Sequence, residues 1–408
     1  MTDLIFDLIE GEEKRQADTL MLIPSENYTY PEVREAAGSV LMHKYAEGYP
    51  GKRYYQGMEF VDQIENLAIE RAKKLFNVSH ANVQPYSGSP ANAAVYFGLL
   101  EHGDTIMGLA LSHGGHLTHG HPKITFSGKY FKSVQYEIAD RYDTCQWFDF
   151  AAIEKLAKEA KPKIIVVGTT AFPRILDWKR FSEIAEEVGA YLLADISHIA
   201  GLVVGGVHPS PVPYAHIVTT TTHKTLRGPR GALIMVTQKG IKKDPDLPQK
   251  IDKAVFPGLQ GGPHLHTIAG IAITLQKAME PEFKDYAKQV VVNAQVLAEG
   301  LSLTGMIPVT GGTDNHLMVI DLRNVGLDGK TAAVALEESG IVVNANTIPN
   351  DPNPAYKPSG IRLGTPAVTT RGMKEEEMKK IAQWIKMVII DKKNVLGEVK
   401  RLCKVFPI

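Results

Sequence analysis

Lys224 lies in a segment whose residue types suit an amine that acts as a nucleophile. Residues 219–222 are four threonines, His223 directly precedes the lysine, and a Gly-Pro turn follows at 228–229. Removal from water and nearby cations lower the pKa of an amine, and the neutral amine can form a Schiff base with an aldehyde. Asp195 ends an apolar, strand-like run upstream. Such a lysine, with a strand-end acid that keeps a pyridine nitrogen protonated, is typical of an enzyme that uses pyridoxal phosphate (PLP).

A turn of small residues, Ser87-Gly88-Ser89, stands between a predicted strand and a predicted helix. Backbone N–H groups, two hydroxyls and the positive end of a helix suit such a turn to binding a phosphate. Serine is also a favoured N-cap residue, so the turn alone is equally explained as a helix cap. Lys224 and Asp195 further along the chain favour the phosphate of the cofactor.

Two single charged residues each allow a structural and a functional interpretation. Asp195 could be a helix N-cap, but the carboxyl end of a strand is also where open α/β sheets bind ligands. Arg362 lies in a glycine-containing turn, and its guanidinium offers a two-pronged, permanently charged partner for the carboxylate of an amino acid. Residue type alone does not separate Arg362 from Arg230, from Arg53 or from an ordinary surface arginine.

Four histidines, His113, His116, His119 and His121, are spaced closely enough to suggest a metal site. No carboxylate or cysteine lies among them, and the glycines at 114 and 115 disfavour a regular helix that would align them. We therefore interpret them as histidines of a polar loop and predict no metal.

The composition favours a soluble protein that acts on small molecules. Lys+Arg and Asp+Glu both number 45, so the net charge is zero and no long-range field attracts nucleic acid or an anionic membrane. The two cysteines, Cys145 and Cys403, are too few for a disulfide framework or a zinc site. The acidic N-terminus lacks the basic start and apolar run of a signal peptide. We expect reduced thiols in a cytoplasmic protein.

Hydrophobic periodicity predicts an α/β protein with two domains. Helical patterns at 59–76 and 89–100 precede short apolar runs at 164–167, 191–193 and 232–235, which are spaced as strands of a largely parallel sheet. Beyond residue 281 the pattern begins again with a long helix and further strands. We predict an N-terminal arm and a large domain over residues 1–280, and a smaller α/β domain over 281–408.

Over nearly its whole length the chain resembles the serine hydroxymethyltransferases, which are fold-type I PLP enzymes. Eight segments carry the resemblance, in order along the chain. They are residues 22–28, 44–55, 82–89, 113–120, 219–231, 256–263, 311–316 and 359–366. The family implies a large, mostly parallel sheet domain that binds PLP and a smaller C-terminal α/β domain.

The resemblance also implies roles for residues at matching positions. Binding of PLP would involve Tyr45, Ser87, Gly88, Ser89, His116, Thr170, Asp195, His198, His223, Lys224 and Gly262. The amino acid would contact Ser25, Glu47, Tyr55, His198 and Arg362, and folate would contact Leu111, Gly115, Leu117 and Asn346. The catalytic groups would be Lys224, Glu47, Asp195, Tyr55 and His116, the last stacked on the pyridine ring.

The implied reaction is reversible transfer of the hydroxymethyl group of serine to tetrahydrofolate, which yields glycine and 5,10-methylenetetrahydrofolate. Tyr45, Glu47, Tyr55 and Gly262 would enter the neighbouring subunit's site, so the resemblance implies a homodimer or a tetramer. Glu47 would be an acid–base group, with a pKa that burial raises.

Two other functions are consistent with parts of the sequence. One is a folate-independent PLP aldolase or a 2-methylserine-type hydroxymethyltransferase; Glu47, Leu117 and Asn346 favour folate use instead. The other is a binding protein that has lost catalysis, for example one that contacts RNA; the intact Lys224, Asp195 and Arg362 and the zero net charge weigh against it.

The chain departs from the family pattern at two positions. Pro173 stands where a serine is common, and Leu259 interrupts a turn that is usually richer in glycine. Neither change removes a catalytic group, but both could alter the preferred amino acid or pterin.

Overall fold

The computed structural model describes residues 3–139 and 147–408, which form two compact units. Of these described residues, the large unit comprises those within Thr29–Thr170 and Ile175–Ala287, and the small unit comprises those within Met1–Tyr28, Ala171–Arg174 and Lys288–Ile408. Cys145 lies outside the described residues, and Cys403 is a buried free thiol.

Strands and helices alternate through the described residues. The strands are β1 (Leu20–Met21), β2 (Gly48–Tyr49), β3 (Lys52–Arg53), β4 (His80–Asn82), β5 (Thr105–Leu109), β6 (Lys132–Tyr136), β7 (Ile164–Gly168), β8 (Tyr191–Asp195), β9 (Ile217–Thr221), β10 (Ala232–Val236), β11 (Ile307–Pro308), β12 (Leu317–Asp321), β13 (Ile341–Val342), β14 (Asn344–Asn346) and β15 (Gly360–Gly364). The α-helices are α1 (Leu4–Asp18), α2 (Pro31–Ala37), α3 (Glu59–Phe76), α4 (Gly88–Leu99), α5 (Phe126–Tyr130), α6 (Phe150–Ala160), α7 (Trp178–Glu187), α8 (Ala200–Val204), α9 (Gln238–Lys243), α10 (Leu247–Lys253), α11 (Leu265–Lys277), α12 (Pro281–Leu303), α13 (Gly329–Glu338), α14 (Pro366–Thr370), α15 (Glu375–Ile389) and α16 (Leu396–Val405).

The large unit is built on a sheet whose described strands follow the order β4-β10-β9-β8-β7-β5-β6. From β6 to β9 neighbouring strands are parallel, and β10 runs antiparallel to both β9 and β4. Every residue of β7, β9 and β10 is buried, as expected when helices cover both faces of a parallel sheet. The α/β class and the mostly parallel sheet that the sequence predicted are confirmed.

Local signals define where the helices of the large unit begin and end. Asp149 and Asp177 accept hydrogen bonds from backbone N–H groups in the first turns of α6 and α7. Asn77 ends α3 in the left-handed conformation, with φ of 54°. Helix α3 spans Glu59–Phe76, the bounds that its apolar periodicity predicted.

The small unit has its own core around an antiparallel sheet in the order β11-β12-β15-β14. The N-terminal segment belongs to this core, because β1 pairs in parallel with β13 and both Leu20 and Leu22 are fully buried among its residues. The predicted division at residue 280 places this segment with the large domain instead. The division of the chain into functional domains at residues 1–280 and 281–408 stays a prediction. No α-helix in residues 3–139 and 147–408 is both long and apolar enough to span a membrane.

Candidate active site

Asp195 is a buried carboxylate at the carboxyl end of β8, and it is hydrogen-bonded by side chains and backbone of the large unit. Its Oδ2 accepts a 2.9 Å hydrogen bond from Asn92 Nδ2 and lies 3.1 Å from His119 Nε2. Its Oδ1 accepts hydrogen bonds from the backbone N–H and the Oγ of Ser197, at 3.0 and 2.6 Å. Asp195 is therefore held rigidly in one orientation.

These partners also determine the charge of Asp195. Burial alone would raise the pKa of this carboxyl, but the hydrogen bond and charge of His119, with a hydrogen bond from Ser197, hold the pKa below its usual range. Asp195 is thus an anion at neutral pH, in a position to bind a cationic ring nitrogen.

Lys224 lies just beyond β9, the strand that pairs with β8. Its Nζ donates a 3.0 Å hydrogen bond to Thr221 Oγ1. Thr221 in turn donates its N–H to Ser197 Oγ at 3.1 Å, and that same Oγ bonds Asp195. A Cβ at Gly88 would lie 2.7 Å from Thr221 Cγ2 and 3.8 Å from Ser197 Oγ. Ser197 and Thr221 therefore form a junction that brings the predicted lysine, acid and phosphate-binding turn together.

The Ser87-Gly88-Ser89 turn opens α4, as the sequence predicted. Ser87 occupies the N-cap position with an extended backbone, but its side chain makes no capping hydrogen bond to the helix. The alternative interpretation as a simple helix cap therefore has no support from the geometry of Ser87. The close approach of Gly88 to Thr221 leaves no room for a side chain on that face of the turn.

His223, the residue before Lys224, is a part-buried, neutral imidazole. Burial, followed by the positive charges of Lys224 and Arg230, lowers the pKa of His223 to about 3. Among the described residues its Nδ1 is buried and has no hydrogen-bond partner. A buried polar atom of this kind is normally satisfied, so its position beside Lys224 fits a site that receives a ligand.

The histidine-containing loop supplies a second neutral imidazole. Burial and the neighbouring His119 lower the pKa of His116 to about 4. His116 Nδ1 lies 2.8 Å from Thr118 Oγ1, which accepts a hydrogen bond from Asn92. Thr170, which follows β7, bonds the Gly115 carbonyl through its Oγ1 at 3.0 Å. The loop is thus tied to the same sheet edge as Asp195, and in the described residues no three His, Cys, Asp or Glu side chains are grouped to hold a metal.

Tyr45, Glu47, Tyr55 and Gly262 form a separate group within the large unit. Tyr55 OH donates a 3.2 Å hydrogen bond to Glu47 Oε2, which raises the pKa of Tyr55. The Tyr45 and Tyr55 rings meet edge-on with centroids 5.5 Å apart. A Cβ at Gly262 would lie 3.0 Å from the Tyr45 ring, so residues distant in sequence meet here.

Ser25, Arg362 and Asn346 belong to the small unit. Arg362 lies on β15, where its Nε donates a 3.1 Å hydrogen bond to Asn344 Oδ1. Burial lowers the pKa of Arg362 to about 10, so the guanidinium stays charged at neutral pH. Asn346 lies on the adjacent β14, and Gly364 at the end of β15 donates its N–H to the Leu22 carbonyl, close in sequence to Ser25. The three predicted residues are thus on neighbouring segments of one unit.

The remaining predicted residues lie in loops of the large unit. His198 is buried, and its carbonyl accepts a hydrogen bond from Thr225 Oγ1. Leu111 begins a short 3₁₀ turn after β5, and Leu117 is 39% exposed.

The residues of the large unit fit PLP. The group needs a lysine for its aldehyde, an anion for its pyridinium nitrogen and a helix N-terminus for its phosphate. Lys224, Asp195 and the Gly88 turn supply these, and the Ser197–Thr221 junction connects all three.

Sequence reasoning missed four residues that organise this site: Asn92, His119, Ser197 and Thr221. Local signals existed for two of them, since Thr221 was part of the threonine run and His119 was part of the histidine loop. Neither signal indicated a contact with Asp195 or Lys224.

Comparisons with known proteins agree with this geometry. The family model of serine hydroxymethyltransferase matches residues 1–385. A serine hydroxymethyltransferase of Acidothermus cellulolyticus is 56% identical over 99% of this chain and 95% of that protein. Those of Alkalilimnicola ehrlichii and Legionella pneumophila are each 53% identical, over 98% and 100% of this chain and 95% and 97% of the respective proteins. The chain therefore belongs to the serine hydroxymethyltransferase family of fold-type I, PLP-dependent transferases.

Proposed function

We propose that this protein transfers the hydroxymethyl group of serine reversibly to tetrahydrofolate, with Lys224 as the residue that holds PLP. The observation that carries the proposal is the Ser197–Thr221 junction. Hydrogen bonds there connect a lysine and a buried anion, and the helix N-terminus at Gly88 packs closely against Thr221. The folate-independent alternatives are not favoured, since the relatives matched over the whole chain are serine hydroxymethyltransferases.

Each group at the junction has a defined task. When bound, PLP supplies an electron sink for negative charge at the α-carbon of the amino acid. Lys224 Nζ, kept in place by Thr221, holds the cofactor aldehyde. Asp195, kept anionic by His119 and Ser197, retains the proton on the pyridine nitrogen. The neutral His116 offers a flat face without adding a positive charge.

Arg362 and Glu47 would serve the substrate. A charged guanidinium that is largely withdrawn from water is a strong partner for the carboxylate of serine or glycine. Glu47, hydrogen-bonded by Tyr55, would accept or donate a proton at the serine hydroxyl. Ser25 and Tyr55 would contact the amino acid, and Leu111, Gly115, Leu117 and Asn346 would contact the folate.

We also propose a homodimer in which the Glu47 group completes the partner's site, in the cytoplasm. Support comes from exposed aromatic side chains in this group and beside it, since Tyr45 and Tyr55 are 57% and 42% exposed and the neighbouring Tyr54 is 73% exposed. Aromatic residues are enriched at protein interfaces. An equimolar mixture of Lys224→Ala and Glu47→Gln proteins, after subunit exchange, tests this. Half of the dimers would be hybrids with one complete site of two, so about a quarter of the normal sites would return. A mixture as inactive as either variant alone would exclude shared sites.

The proposed reaction is tested by visible absorption of the purified protein, to which glycine and tetrahydrofolate are added in sequence. A yellow protein whose band moves to longer wavelength mainly after the folate arrives would support the reaction. A yellow protein indifferent to folate would contradict it and return the folate-independent alternatives. Borohydride reduction followed by peptide mapping identifies the attached lysine independently, and attachment elsewhere than Lys224 would contradict the assigned site.

A further inference from the structure

Arg227 has a backbone conformation that arginine rarely adopts. Its φ is 62°, in the left-handed region, although Gly228 follows it directly. Two other non-glycine residues with positive φ, Asn77 and Lys161, end helices, where this conformation is common. Arg227 instead lies in the turn that follows Lys224, so the strain is at the proposed site rather than at a helix end.

The position of Lys224 depends on this turn. Arg227 donates its N–H to the Lys224 carbonyl at 3.1 Å, and Gly228 donates its N–H to the Thr222 carbonyl at 2.8 Å. Gly228 is needed for space, because a Cβ there would lie 2.6 Å from that carbonyl. A change of φ at Arg227 would displace the Gly228 N–H and so open its hydrogen bond to the Thr222 carbonyl, which closes the turn around Lys224.

Two aromatic rings hold the Arg227 side chain. Its guanidinium carbon lies 4.2 Å from the centroid of the Tyr30 ring and 5.5 Å from that of Tyr286. Burial raises the pKa of Tyr30, and the charge of Arg227 opposes this rise, so the two side chains share a partly dry environment. A cation–π contact in such a place is comparable in strength to the cost of one left-handed residue, so the rings can stabilise the strained turn.

We propose that Arg227 is a positioning residue: its guanidinium, held on Tyr30 and beside Tyr286, maintains the left-handed turn that directs Lys224 toward Thr221. The proposal rests on the assignment of Lys224 as the lysine that holds PLP. A flexible four-carbon side chain has many orientations, so a fixed backbone at its base limits those that reach the cofactor aldehyde.

Two matched pairs of variants separate this role from an effect of charge. Arg227→Gly and Arg227→Ala both remove the cation, but only alanine resists the left-handed conformation. Tyr30→Phe and Tyr30→Leu both keep the arginine, but only phenylalanine keeps an aromatic face. Lys277→Gln is the control, since Lys277 Nζ also lies near the Tyr30 ring, at 5.8 Å, but is not part of the turn.

The readouts are the rate at which apoprotein and PLP form the yellow, lysine-bound band and the pH at which that band titrates. We expect Arg227→Ala and Tyr30→Leu to slow band formation about tenfold, or ~1.4 kcal/mol, and to shift its titration. Arg227→Gly should lie closer to wild type than Arg227→Ala, and Tyr30→Phe and Lys277→Gln should match wild type.

Equal impairment of the glycine and alanine variants, or equal behaviour of the two Tyr30 variants, would overturn the proposal. The Tyr30 pair decides the question if Arg227→Ala does not fold. Failure of the proposed function is recognised separately, because peptide mapping of reduced wild-type protein would then place PLP on a lysine other than Lys224.

Discussion

Arg53→Met is expected to destabilise the protein strongly, because Arg53 neutralises a carboxylate that has no access to water. Glu65 is fully buried, and its Oε2 lies 2.6 Å from Arg53 Nη2, whose side chain is 3% exposed. Arg53 also bonds Asp62 at 2.9 Å and donates to the Ala46 and Gly48 carbonyls, which flank Glu47. Loss of one partner of a buried ion pair costs about 3–5 kcal/mol of the free energy of unfolding.

The loss should depend on pH in a defined direction. Burial already raises the pKa of Glu65, against the opposing charge of Arg53, and removal of the arginine raises it further. The Glu65 carboxyl then binds its proton more tightly in the folded variant than in the unfolded chain. The stability of the variant is greatest below the ordinary glutamate pKa and decreases as pH rises through the raised value. Between the ordinary glutamate pKa and the raised pKa of Glu65, the difference between variant and wild type in the free energy of unfolding should grow by up to about 1.4 kcal/mol per pH unit.

Equilibrium urea unfolding at pH 6, 7 and 8 measures both effects. Arg15→Met is the matched control, because Arg15 pairs with Glu12 on the surface, with side chains 42% and 50% exposed, where such pairs contribute about 0–1 kcal/mol. The double variant Arg53→Met/Glu65→Gln should lose the pH dependence. The reasoning on Glu65 would be refuted if Arg53→Met lowered the free energy of unfolding no more than Arg15→Met does, or lowered it by the same amount at every pH.

Three further outcomes are expected. Gly88→Ala should weaken PLP binding by apoprotein about 5- to 150-fold, since overpacking against Thr221 Cγ2 costs about 1–3 kcal/mol; unchanged affinity in a fluorescence titration would contradict the close packing. Arg371→Met should accelerate hydrogen exchange in α1 and α16 together, because the 6%-exposed Arg371 donates to carbonyls at the C-terminal ends of both helices; acceleration in only one of them would argue against a shared clamp. His119→Phe should raise the pKa of Asp195, since burial is then less opposed. As the solution is acidified, the His119→Phe variant should therefore lose affinity for PLP at a higher pH than wild type does. If affinity depended on pH in the same way in both proteins, His119 would not be what keeps Asp195 ionised.

The fold and the residue types of the site were predictable because their signals are short-range. Apolar runs gave β7 and β10 within one residue and β8 within two, since these strands are almost wholly buried. The membership of Leu20 and Leu22 in the small unit was not predictable, because it depends on pairing between β1 and β13, far apart in sequence. The roles of Ser25, Glu47, Arg362 and the folate residues stay predictions.

By itself, the sequence determined the α/β class and, through the resemblance, the family, and it indicated Lys224, Asp195 and the turn at residues 87–89 as the candidate site. Residue type and periodicity carry that information over a few positions. Only the tertiary structure decided how the site is held together. Asn92 and His119 reach Asp195 across 103 and 76 positions, and Thr221 joins Lys224 to Ser197. Contacts of this kind arise when neighbouring strands and the loop above them come together, so no local pattern records them.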